Sequence, residues 1–289
     1  MSVVDGERVL ADAVDTYQAA LGERLLAAYA LGSLAHGGFS GLVSDVDLGL
    51  IVRDPGLPED DATIRVVAEG ERSRGTLLHE RLSVFWGTPS TLGGKKEGGR
   101  FPALDRLDLL ENGRLLTGVD VRHSLPRPGY DEIVIEGAEF ALDHLARVGP
   151  SADPGSRRAG GEGALEEICS PDVLLARGVR PLTKTVLFPV RFLYTAATGR
   201  VGTNHAAIAW YLERPAGPGT ALVKAALAWR AAGPTDSEAA IELLRSGLVP
   251  LYVHYLDDQV ERLALLGRAD LARAFEEWRD RLVERSRRR

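Results

Sequence analysis

Apolar positions recur with a helical period near the start of the chain: Leu10, Ala13, Val14, Tyr17 and Leu21 share one face of a helix predicted over residues 5–21. The unbroken apolar run Leu25 to Leu31 then predicts a buried strand leading into a turn at Gly32-Ser33. A second strand is expected over residues 45–53, ending near Pro55. Strand side chains alternate, so Val46, Leu48, Leu50 and Val52 face a core while Asp45 and Asp47 share the opposite side. Residues 59–74 predict a helix with Ile64, Val67 and Ala68 on one face and acids in its first turn. Glu80 to Gly87 is rich in β-formers and predicts a third strand. Residues 89–100 suggest a loop, Phe101 to Glu111 a short helix stopped by Asn112-Gly113, and Arg114 to Thr117 a small edge strand. Alternating helices and strands make this half α/β with a small mixed sheet.

From Tyr130 onward only helical periods remain. Glu132 to Arg147 is one helix, and Leu182 to Thr198 another, with Pro189 inside it, where a kink is expected, and Gly199 as its stop. Thr203 caps a helix over Asn204 to Glu213, and further helices are expected over residues 218–232, 236–246 and 250–284. The Pro/Gly/Ser-rich stretch 149–163 predicts a flexible segment. The chain thus divides into a mixed-sheet α/β domain, residues 1–125, and an all-α helical bundle of about five or six helices, residues 126–289.

Composition narrows the setting. A hydrophobic content of 45% is enough for a sizeable core. The net charge of −6 lacks the basic footprint of a nucleic-acid binder, and the basic end of the chain, Arg285 to Arg289, reads as a solvated terminus. Cys169 is the single cysteine, so no intrachain disulfide forms. With no apolar signal core and no run of about 20 apolar residues, a soluble cytoplasmic protein without a membrane partner is expected.

The stretch from Gly32 to Val52 carries the chemistry. Two carboxylates side by side on a dry strand repel each other, and a divalent cation between them removes the repulsion; hard oxygen ligands suit Mg2+. The Gly32-Ser33 turn can bring backbone N–H groups to a phosphate. The ordinary alternative is a hairpin-like turn followed by two solvent-facing aspartates, since a bare Asp-x-Asp is common by chance. The combination of an apolar run, Gly-Ser, a Gly-rich spacer, Ser44-Asp45-Val46-Asp47 and a second apolar run is far less common.

That combination resembles the nucleotidyltransferase superfamily, of polymerase-beta-like fold, whose motif is Gly-Ser, a spacer and Asp-x-Asp. Within it, the layout of a catalytic domain followed by a helical one looks like the aminoglycoside nucleotidyltransferases. Arg191 to Val201, with Trp210 and Glu213, is similar to the helical domain of the streptomycin/spectinomycin adenylyltransferases, and Leu110 to Gly118 to a junction common in aminoglycoside-modifying members. The resemblance implies that Asp45 and Asp47 hold two Mg2+ ions and that Gly32, Ser33 and Ser44 bind the nucleotide. It also implies an acceptor base at Glu139, in a Glu-aromatic-Ala context like that of the kanamycin nucleotidyltransferases, with Glu136 as its neighbour; a plain surface glutamate is the competing interpretation. The partners implied are a nucleoside triphosphate, ATP above all, and a small-molecule hydroxyl acceptor, and a homodimer is compatible because some relatives build their sites across one.

Departures from the family pattern keep alternatives open. Ser83 stands where a third carboxylate is usual, and Asn204 or His205 where the streptomycin-type members commonly have a lysine. An adenylyltransferase acting on an antibiotic-like hydroxyl leads; an enzyme modifying a protein or another metabolite, or a regulatory protein with weakened catalysis on the same fold, remain beside it. Lys184 and Arg191, on one helix face, suit salt bridges better than phosphates, His36 reads as a spacer, and His79 and His205 lack partners at metal-ligand spacing.

Overall fold

The computed structural model describes residues 2–94, 98–146, 162–214 and 217–288 and divides into two compact units, Met1–Gly129 and Tyr130–Arg289. The flexible stretch expected at 149–163 lies outside the described residues apart from its last two positions, which open a helix.

In the first unit, α1 (Val3–Leu21) starts at a capping box: the Ser2 side chain accepts the Asp5 N–H, and the Asp5 carboxylate accepts the Ser2 N–H at 2.7 Å. Then come β1 (Leu25–Leu31), α2 (Gly32–His36), β2 (Val46–Val52), α3 (Pro58–Arg72), α4 (Leu77–Glu80), β3 (Leu82–Gly87), α5 (Pro89–Leu92), α6 (Ala103–Asn112) and β4 (Arg114–Gly118). The sheet order is β3-β2-β1-β4; β1 is antiparallel to β2 and β4, and β2 is parallel to β3. The expected mixed α/β sheet is therefore present, with the run Arg114 to Thr117 on its edge.

Strand alternation builds two cores. Val46, Leu48, Leu50 and Val52 pack with Ala28, Ala30 and the apolar faces of α1 and α3. On the other side Ala27, Tyr29, Leu31 and Ile51 pack with Leu92 and Leu109. Tyr29 fastens β1 to the segment after β4: its hydroxyl accepts the Val121 N–H at 2.9 Å and donates to Asp120 at 3.0 Å.

Three expectations in this unit need correction. The Gly32-Ser33 turn is the first turn of α2, and the loop at 89–100 contains α5. Glu80 lies on α4, capped by Thr76, rather than on the third strand, which begins at Leu82. The Thr76 hydroxyl offers that turn a local acceptor, and this outweighs the β-propensity that follows it.

In the second unit α7 (Tyr130–Ala141) runs into a π-type turn at Leu142–Ala146 and is followed by α8 (Glu162–Cys169), α9 (Pro171–Ala176), α10 (Val179–Thr198), α11 (Asn204–Leu212), α12 (Thr220–Ala232), α13 (Ser237–Leu265) and α14 (Ala269–Arg287). These eight α-helices among the described residues exceed the five or six expected. Gly199 takes the left-handed conformation that closes α10, and Thr203 caps α11, as the sequence predicts. The expected break before Pro250 is absent: Pro250 sits inside the 29-residue α13. A proline inside a helix costs about 3 kcal/mol, and the complete burial of Leu248, Leu251, Tyr252, Tyr255 and Leu256 around it offsets that. The break falls instead at Gly267, whose φ of +73° lets Arg268 N–H reach back to the Leu263 carbonyl at 2.8 Å.

Asp60 is the buried charge whose pairing holds the first unit's connections together. Its carboxylate receives Arg24 Nη at 2.7 Å and the Leu57 N–H at 3.0 Å, while Arg24 also donates to the carbonyls of Arg53 and Pro55. The Arg24 guanidinium holds the Asp60 carboxyl below the usual carboxylate range. Asp60→Ala is expected to lower the unfolding free energy at pH 7 by about 2 kcal/mol, measured by urea denaturation. Because the folded-state value is lowered, the stabilisation is complete above the unfolded carboxyl value near pH 4 and is lost as pH falls through the folded value. The gap between wild type and variant should close in acid.

Candidate active site

The two aspartates sit where β2 begins. Asp45 immediately precedes the strand and Asp47 is its second residue, two positions on; both are half-buried. Antiparallel register sets Asp47 opposite Leu31, the last residue of β1, so the chain leaves β1 into Gly32 right beside the Asp47 carboxylate. Gly32 has φ +57°, and a Cβ there would lie 2.3 Å from Asp47 Oδ2. Any other residue would strain this φ and crowd the Asp47 carboxylate, which is a physical reason for glycine before Ser33. Ser33, on the first turn of α2, is half-buried.

On the other flank of β2, parallel register sets Ser83 of β3 beside Asp47. Register partners project to the same side of a sheet, so the serine occupies the position beside Asp47 at which the family resemblance implies a further carboxylate.

The spacer between Ser33 and Asp45 is packed in place. Phe39 rests against α1 at Gly6, where a Cβ would touch its ring at 3.0 Å, and Val43 is fully buried. Ser44 is buried, and its hydroxyl accepts the Ser40 N–H at 3.0 Å while its own N–H donates to the Ser40 carbonyl at 2.8 Å. Arg81 donates to the carbonyls of Gly41 and Leu42. Ser44 therefore shapes the loop that delivers Asp45. His36 Nδ1 stays local, beside the Gly37 carbonyl at 2.7 Å.

A residue that the sequence reading missed belongs to this cluster. Asp108 of α6 is buried, and its Oδ2 accepts the Gly32 N–H at 2.6 Å while Oδ1 accepts the Asn112 side-chain N–H at 2.8 Å. The Gly32 amide is thus bound to a carboxylate, in contrast to the expectation that it turns toward a phosphate. The signal in the sequence was an acid between Leu107 and Leu109 on the buried face of α6.

The other expected participants belong to the helical unit. Glu139 is exposed on α7 and pairs with Arg268 at 3.3 Å, an arginine that also holds Asp270 at 2.8 Å. Arg191 Nε donates to the Gly202 carbonyl at 2.6 Å, and the Gly202 N–H donates to Thr195 Oγ1 at 3.0 Å. These bonds pin the Gly199 to Gly202 turn onto α10 and give the Thr-Gly-Arg-Val stretch a structural use. Cys169 is buried.

Among the described residues no group of three or more His, Cys, Asp or Glu is placed to hold a metal ion. The donor set at β2 nevertheless fits Mg2+, which is commonly held by one or two carboxylates together with substrate phosphates and water. Asp45 and Asp47 supply two such carboxylates, and glycine at position 32 keeps the approach to Asp47 clear of a side chain.

No family model and no curated protein matches the chain. Among solved structures it is similar to the crystal structure of the spectinomycin adenyltransferase AAD(9) from Enterococcus faecialis with ATP and spectinomycin, with a TM-score of 0.50 at 12% identity over 81% of this chain and 96% of that one. The chain shares its fold with that structure.

The Gly32–Asp47 contact gives a direct test of this geometry. Gly32→Ala is expected to destabilise the protein by about 1–3 kcal/mol through the left-handed φ and the clash. Adding Asp47→Ala should restore part of that loss in a double-mutant cycle read by urea denaturation, because the clashing oxygen is gone.

Proposed function

We propose that this chain is a Mg2+-dependent nucleotidyltransferase that moves AMP from ATP onto a hydroxyl of a small molecule, with an aminoglycoside-like antibiotic or a similar hydroxylated compound as acceptor. The observation that carries the proposal is the placement of Asp45 and Asp47 at the start of β2, with the Asp47 carboxylate against the bare backbone of Gly32. The fold supports it, since the similar structure of AAD(9) holds ATP and spectinomycin.

In this reaction the acceptor oxygen forms a bond to the α-phosphorus while the bond from that phosphorus to the bridging oxygen breaks, and pyrophosphate leaves. Bound Mg2+ supplies charge neutralisation at the entering and leaving oxygens. Asp45 and Asp47 would hold the cation, Asp47 from the second position of β2 and Asp45 from the residue just before that strand. Ser33 offers its hydroxyl to the triphosphate from the first turn of α2. The hydroxyl proton needs a base, and Glu139 takes that role on the family resemblance alone.

A second reading has a specific observation behind it. Ser83 stands in register beside Asp47, and serine brings no charge to the cluster. On that basis a nucleotide-binding regulatory protein with weakened turnover is the alternative. Nucleotide binding is common to both readings, and pyrophosphate release separates them.

Calorimetric titration of Mg2+ and ATP into the protein should show magnesium-dependent binding that Asp47→Asn abolishes without loss of the folded state by circular dichroism. Wild-type protein that binds none of ATP, GTP, CTP or UTP with magnesium would overturn the proposal. With an accepted hydroxyl substrate in hand, Glu139→Gln is expected to lower kcat by about 10²–10⁴-fold with nucleotide affinity kept. An unchanged kcat assigns the base elsewhere.

A further inference from the structure

We infer that Asp108 is a positioning residue for the metal-binding carboxylate Asp47, acting through the backbone of Gly32; the inference rests on the proposed nucleotidyltransferase reading. The chain of contacts is short. Asp108 Oδ2 accepts the Gly32 N–H at 2.6 Å, and Gly32 in turn presents the bare face against which Asp47 Oδ2 lies. Asp108 is itself held from behind, because its second oxygen accepts the Asn112 amide at 2.8 Å and its backbone carbonyl accepts the Gly113 N–H at 3.0 Å where α6 ends.

The physical need for such a residue is plain. Glycine at φ +57° is free to leave that conformation more easily than any other residue. Gly32 is also a hinge, the first residue after β1 and the first of α2. If its peptide rotates, the surface beside Asp47 changes and the Ser33 turn moves with it. A buried, short hydrogen bond from α6 removes that freedom. It also satisfies an N–H that has no intrahelical partner at the start of α2. Asp108 is therefore bonded to the turn, and its contribution to Asp47 is geometric: what Gly32 requires is an acceptor oxygen, with or without its charge.

That distinction makes the inference testable with two variants. Asp108→Asn keeps an acceptor for the Gly32 N–H, since Asn112 can turn its own amide to match the new side chain. Asp108→Ala removes the acceptor. Two readings are taken on each folded protein: the affinity for ATP with saturating Mg2+ by calorimetry, and the amide proton shift of Gly32 by nuclear magnetic resonance. Asp108→Ala is expected to weaken binding about tenfold or more and to move the Gly32 amide proton upfield, while Asp108→Asn stays close to wild type in both. Binding by Asp108→Ala equal to wild type overturns the positioning role, as does a loss in Asp108→Asn as large as that in Asp108→Ala, which would mean that charge and not the acceptor matters. A wild-type protein that binds no Mg2+ and ATP at all removes the nucleotidyltransferase reading instead, and the Gly32 shift then decides alone whether Asp108 holds the turn.

Discussion

The close approach of the Asp47 carboxylate to the backbone of Gly32 governs the chemistry-bearing end of the sheet. Antiparallel pairing sets Leu31 opposite Asp47, so the residue leaving β1 must pass that carboxylate, and a residue without Cβ does so without strain. Once Gly32 is there, its left-handed φ turns the chain into α2 and fixes where Ser33 starts. The same glycine then has an N–H pointing to the α6 side, where Asp108 meets it. Strand pairing, turn and helix contact are thus one connected constraint rather than three separate features.

The loop that leads to Asp45 is held in place by packing and hydrogen bonds. Phe39 packs against the first core, Val43 is fully buried, and the Ser40–Ser44 bonds and Arg81 hold the turn. The entropy of ordering this loop is met during folding, when those apolar side chains are buried, and not at the moment of ligand binding. An ordered loop of this kind would suit the charge stabilisation that the proposed reaction needs.

The helical unit rests on different physics. Tyr252, Tyr255, Phe275 and Trp278 are fully buried and meet edge to face, joining α13 and α14 along their length. That large aromatic area is why a proline inside α13 is tolerated. Likewise, the stretch around Arg191 that resembles the adenylyltransferase helical domain has a use that requires no ligand, because Arg191 and Thr195 hold the Gly202 turn against α10. A motif can thus follow a fold for reasons of packing, which is why activity is argued from the aspartates and not from this element.

Local chemistry in the sequence was enough to locate β1, β2, α1, α3, the cap at Thr203 and the stop at Gly199, because periodicity and capping are short-range rules. It failed in two ways: α13 continues through Pro250 because long-range burial outweighs the lost hydrogen bond, and Glu80 joins a turn that the Thr76 hydroxyl caps locally although β-formers follow it. Candidate chemistry divides in the same way. Asp45, Asp47, Gly32 and Ser33 lie within one short stretch and were legible together, whereas the partnership of Asp108 with Gly32 spans 76 residues and exists only once α6 packs beside β1. The chain carries the acids by itself; only the tertiary structure decided which backbone N–H each one meets, because that depends on register and helix packing, which no local pattern encodes.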